Sequence, residues 1–100
     1  MLSIQPLFAP LHSLRTLREI IPQPGEAYVS VKAVDGAKTY HFEMTTDPLT
    51  DNSSWITELD SRSIHLFQGL KPGQKYWFRV AAVGLRGVKV YSNVAYYFAQ

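Results

Sequence analysis

Cysteine is absent from the 100 residues, which removes disulfides, thiolate metal sites and a cysteine nucleophile together. Stability has to come from packing, and the redox compartment stays open, because a chain without disulfides suits either side of a membrane. Long hydrophobic runs are missing too: no stretch approaches the roughly 18 to 20 apolar residues of a transmembrane helix. The opening Met-Leu-Ser-Ile-Gln-Pro has no basic segment and is broken by Gln5 and Pro6, which makes it a poor secretory signal. Clustered charge is lacking as well. Ten Lys and Arg stand against eight Asp and Glu, spread along the chain, so neither a nucleic-acid nor a membrane partner is expected. There is no internal repeat and no low-complexity segment.

What is present is an ordinary globular balance, 46% apolar and 18% charged, in a length that fits one domain with one core. Residues 1–12, with Pro6 and Pro10 among Leu, Phe and Ala, read as an extended tether, and 13–100 as the domain. Over 13–21, Leu14, Leu17, Ile20 and Ile21 fit helical spacing behind Ser13 as a possible N-cap, so helix and strand are both open here. The segment is short and ends at Pro22, which favours a first strand over 14–18. Residues 22–25, Pro-Gln-Pro-Gly, are then expected to turn the chain.

From there the apolar period is two. Residues 27–34 place Val29 and Val31 on one face, and Asp35-Gly36 turns. Tyr40, Phe42 and Met44 alternate with His41, Glu43 and Thr45, a half-buried strand with a polar outer face. A polar loop over 46–54 leads to Trp55 and Ile56, which open a short strand, and 60–63 turns again. In 64–67, counting back from Leu70 puts Phe67 inside. The last strand, over 92–99, carries Val94, Tyr96 and Phe98 on one side, expected to be buried, and Ala95 and Tyr97 on the other.

The most informative stretch is 69–83. Leu70 is apolar, Pro72 presets a turn and Gly73 tolerates the backbone angles of a corner. Tyr76, Phe78, Val80 and Ala82 then share one face of a long strand and Trp77, Arg79, Ala81 and Val83 the other. The Leu-x-Pro-x-x-x-Tyr spacing sets up a tyrosine corner, in which the phenol returns to the corner's backbone. Seven short strands with turns at regular spacing predict an all-β fold, a seven-stranded antiparallel β-sandwich of immunoglobulin-like type.

From about residue 10 onward the chain resembles a fibronectin type III domain. The residues that carry the likeness are Ala9-Pro10 with Leu14-Arg15, Gly25-Glu26 leading through Val29 to Tyr40, Gly69 to Gly73 with Tyr76, Phe78, Arg79 and Val80, and Tyr91-Ser92-Asn93. Asp47-Pro48, Ser54-Trp55 and the run from Tyr76 to Val80 look most like the C-terminal module of small bacterial proteins of this family. One departure stands out: Val31 occupies the place where the family usually buries a Trp, so Phe42, Phe67, Phe78 and Phe98 are expected to fill that volume unless the core is looser than usual. Arg86-Gly87 is followed by Val88, so the Arg-Gly-Asp activity of some members does not carry over.

Catalysis has no support: no serine sits in a nucleophile elbow and no Gly-rich loop precedes a helix. His12, His41 and His65 form no ligand cluster, and His65 reads as a partly buried packing residue. Asp47, Asp51 and Asn52 are explained by turn formation without calcium. Asn52-Ser53-Ser54 is a glycosylation sequon, meaningful only in a secreted eukaryotic chain. No cofactor and no metal are expected. The structural residues are Leu70, Pro72, Gly73 and Tyr76. The candidate protein-binding residues are Trp77, Arg79 and Tyr97 on the outer face of the sheet, together with Leu85, Arg86 and Lys89 in the loop between the last two strands. The resemblance implies a non-catalytic spacer or protein-interaction module whose partner is another protein or a neighbouring domain of a longer chain. The alternative is a carbohydrate-associated accessory module presenting Trp77, Tyr97 and Trp55 to sugar faces. The domain is expected to be a monomer or a weak dimer paired through edge strands.

Overall fold

The computed structural model describes residues 17–100 of the chain; the tether expected over 1–12 and the start of the first predicted strand lie outside them. Among the described residues the strands are β1 (Leu17–Gln23), β2 (Glu26–Val31), β3 (Thr39–Thr46), β4 (Ile56–Asp60), β5 (Ile64–Gln68), β6 (Lys75–Val83), β7 (Lys89–Tyr91) and β8 (Ala95–Phe98). They form two antiparallel sheets, one ordered β1-β2-β5 and a larger one ordered β4-β3-β6-β7 with β8 also on β6. Since β7 and β8 pair with successive parts of β6, they are two halves of one interrupted strand, and the predicted count of seven describes the sandwich.

From Leu17 onward the ambiguous 13–21 segment is strand. It extends further than expected: β1 runs through Pro22, and the turn is confined to Pro24 and Gly25. A proline fits there because β1 is the edge of its sheet, where a missing N–H costs no ladder bond. The next strand is shorter than expected and stops at Val31, with the Val34 N–H donating to the Tyr40 hydroxyl at 3.0 Å.

The corner before β6 is closed as its spacing implied. The Tyr76 hydroxyl accepts from the Lys71 N–H at 2.8 Å, with both the ring and Leu70 buried. Gly73 has φ 83°, a left-handed value that a side chain would oppose, and its N–H donates to the Ala99 carbonyl at 2.8 Å. The Leu70 N–H reaches the Gly25 carbonyl at 2.9 Å, so the corner, the first hairpin turn and the last strand meet at one end.

Between the sheets, Val29, Phe42, Phe67, Phe78 and Val80 are completely buried. A chain of rings runs through this layer, from Phe42 to His65 (centroids 5.2 Å), to Phe67 (5.2 Å) and to Phe78 (5.1 Å). His65 thus takes part in core packing, beside three phenylalanines that belong to the same buried cluster as the small Val31. Phe98, the fourth ring expected there, is outside the core and 55% exposed.

The last strand corrects a second expectation in the same way. Tyr96 and Phe98 do share a side, but it is the outer one, and Ala95, Tyr97 and Ala99 face the core; Val94 alone of the three is buried as expected, at 5% exposed. The cause is a one-residue bulge. Tyr91 lies opposite Ala81 and Ala95 opposite Phe78, so four steps along the last strand match three along β6. Ser92 holds the bulge, its amide donating to the Val80 carbonyl (2.8 Å) and its hydroxyl accepting from the Val80 N–H (3.0 Å). One extra residue reverses the alternation of everything after it.

Replacing Tyr76 with Phe leaves the ring but strands the Lys71 amide. We expect a loss of about 1–3 kcal/mol in urea unfolding with the denaturant slope unchanged.

Outer face of the larger sheet as the candidate functional site

The outward residues of β6 begin with Lys75, Trp77 and Arg79, and each is held by neighbours that the register brings opposite. Trp77 lies across from Tyr96, and their rings meet edge to face at 5.5 Å. The Trp77 indole N–H donates to Asp47 at 2.8 Å, which fixes the ring against the loop after β3. The Lys75 ammonium sits over the rings of Trp77 (4.8 Å), Tyr96 (4.6 Å) and Phe98 (5.7 Å) and 3.8 Å from the same carboxylate. Tyr96 is 40% exposed, so with Phe98 it presents an aromatic edge to solvent beside the Lys75 ammonium. Tyr97, expected next to Trp77, is instead turned inward toward Phe78.

Further along β6, Arg79 lies opposite Glu43, and its Nε donates to that carboxylate. The guanidinium is stacked on the Trp55 ring, 4.0 Å from its centroid, and lies 5.1 Å from that of Tyr91. This corrects the picture of a solvated outer face on β3. Glu43 is only 5% exposed, and its second oxygen accepts from the Thr57 hydroxyl at 3.3 Å. A buried carboxylate persists here because a guanidinium and a hydroxyl satisfy it. Beside this pair is an open depression of about 390 Å³ lined by Leu49, Thr50, Asp51, Trp55, Arg79 and Val94.

Leu85, Arg86 and Lys89 lie at the other end of β6, all exposed, so the structure separates them from Trp77 by the length of the strand. The loop tip is a tight turn over Leu85–Gly87, closed by the Gly84 N–H on the Val88 carbonyl at 2.8 Å. Arg86 adopts φ 61°, and Leu85 is 71% exposed.

A third cluster closes the open side of the sandwich, where β4 and β5 belong to different sheets. Both ring nitrogens of His65 lie against carboxylates of β4, Nδ1 at 3.0 Å from Asp60 and Nε2 beside Glu58. The Arg62 guanidinium, the Arg62 N–H and His65 hydrogen-bond to Asp60 and hold its carboxyl well below the usual range. Inward-facing charges on an edge strand also discourage pairing with another chain. Among the described residues, no group of three His, Cys, Asp or Glu is arranged to hold a metal ion.

Sequence reasoning named Trp77 and Arg79, with Glu43 on the neighbouring strand, but missed Lys75, Tyr96 and Phe98 as their neighbours. The missing signal is register: alternation says which residues share a strand face, and only pairing says what lies opposite.

Neither a family model nor a curated protein matches the sequence. The fold, however, is that of a fibronectin type III domain. An Fn3-like protein from Clostridium thermocellum superposes with a TM-score of 0.67 at 22% identity, covering 86% of this chain and 92% of that one. The FN5 domain of Drosophila Lar gives 0.65 at 18% identity, with 87% and 95% covered. Part of the pectate lyase PelI of Erwinia chrysanthemi, solved in complex with tetragalacturonic acid, gives 0.70 at 19% identity, covering 83% of this chain and 28% of that one.

The Asp60 cluster makes stability depend on acid. A carboxyl whose folded-state pKa is depressed contributes above its unfolded value, near 4, and loses that contribution as pH falls toward the folded one. Asp60→Asn is therefore expected to be less stable than the parent near neutral pH, with the gap narrowing below about pH 4; urea unfolding across a pH series measures it.

Proposed function

We propose that this chain is a non-catalytic interaction module that docks a protein, or a neighbouring domain of a longer chain, on the outer face of its larger sheet. The observation that carries this reading is the aromatic edge of Tyr96 and Phe98, exposed to 40% and 55% on a backbone fixed by the bulge at Ser92. Large rings already held in place, here by Lys75, Trp77 and Asp47, bury area on binding at little further entropy cost. The loop tip at Leu85 and Arg86 is exposed but offers no comparable group of rings.

A second reading, an accessory module for carbohydrate, draws on a different feature, the depression beside Trp55 and Arg79. The three rings first considered for that role do not form one platform, since Tyr97 faces inward. One fold neighbour, the pectate lyase PelI, was solved with a bound oligosaccharide, and that is consistent with such a role.

A photo-crosslinking residue at position 96 or 98 tests docking in the native host. Discrete adducts are expected from both sites and not from exposed position 32 just after β2, and excess unlabelled domain should compete them away. The Phe98→Asp domain should compete about tenfold less well. Adducts of the same pattern from position 32, or equal competition by Phe98→Asp, would contradict the reading.

A further inference from the structure

We infer that the depression over Arg79 is a binding site for a neutral sugar ring. Its walls supply three kinds of contact at once: apolar surface from Leu49, Val94 and Trp55, donors from Arg79, and acceptors from Asp51 and the Thr50 hydroxyl. Its volume, about 390 Å³, lies within the range of small-molecule sites.

The charge arrangement selects the ligand. Glu43, buried behind the guanidinium, takes Nε and cancels the charge of Arg79, while the terminal amines have no acceptor among the described residues. Arg79 therefore offers directed donors with little net field, in an orientation that Trp55 and Tyr91 fix by stacking. With Glu43 and Arg79 offsetting each other, Asp51 opposes an anionic ligand. An ammonium group would meet Asp51 but has no acceptor for the Arg79 donors. A wholly apolar ligand would leave the Arg79 amines and the Asp51 oxygens without partners, at a cost. A ring with C–H faces and several hydroxyls, each both donor and acceptor, meets all the walls without a charge conflict.

The wall opposite β6 is braced before any ligand arrives. The Thr50 N–H donates to the Ser53 hydroxyl at 2.8 Å, the Asn52 N–H to the Thr50 hydroxyl at 3.1 Å, and the Thr45 hydroxyl to the Ser54 carbonyl at 2.8 Å. That leaves little ordering entropy to be lost on binding.

This inference rests on the carbohydrate reading rather than on protein docking. The test is an amide and indole NMR titration of the full chain with neutral probes, glucose, galactose, cellotetraose and maltotetraose, and with tetragalacturonate as the charged arm. The protein has two tryptophans, so the indole signals report separately: Trp55 lines the depression and Trp77 is tied to Asp47. A saturable shift of the Trp55 indole and the Thr50 and Asp51 amides with at least one neutral probe, weaker or absent with tetragalacturonate, is the expected result. Asp51→Ala, a change at an exposed loop position, should weaken it about tenfold. Tighter binding of tetragalacturonate at the same signals overturns the neutral-ring inference while sparing the carbohydrate reading. No saturable shift with any probe, or an undiminished one in Asp51→Ala, overturns the site itself.

Discussion

The 2.8 Å bond from the Lys71 amide to the Tyr76 hydroxyl sets the phase of β6, and β6 sets the phase of its sheet. With that ring held inside, Phe78, Val80 and Ala82 must follow it into the core, and Lys75, Trp77 and Arg79 must face outward. Strand β3 on one side and β7 and β8 on the other pair directly with β6, so their faces are assigned by the same anchor. The outer surface is thus a consequence of a core constraint.

A second constraint acts only on the last strand. Without the extra residue at Ser92, Tyr96 and Phe98 would continue the alternation of β7 and point between the sheets, where Phe42, Phe67 and Phe78 already fill the space. The bulge places the small Ala95 and Ala99 inside instead, with Tyr97 as the one large inward ring, and sends the other two rings out beside Lys75. Core volume and surface chemistry are decided by the same hydroxyl, which replaces a ladder partner at the Val80 amide.

The sandwich and its corner were legible because alternation, the Leu-Pro-Gly-Tyr spacing and the turn residues are local signals. The inward placing of Phe67 and the packing role of His65 followed from them. What was not legible depended on pairing. Nothing in the order Tyr91-Ser92-Asn93-Val94 says that one residue drops out of register, and so Phe98 was expected inside and Tyr97 outside. Glu43 reads as a surface carboxylate until Arg79 is set opposite and Trp55 is laid over the guanidinium from a loop twelve residues on. Pro22 reads as a strand end unless the strand is known to be an edge.

The reversal of the last strand is the claim from which the exposed aromatic edge follows, and proximity between protons measures it directly. In an NMR spectrum resolving nuclear Overhauser effects, the Tyr96 ring should contact the Trp77 indole, and the Tyr97 ring should contact Phe78. Contacts exchanged between the two tyrosines, with Tyr97 against Trp77 and Tyr96 against Phe78, would contradict the account.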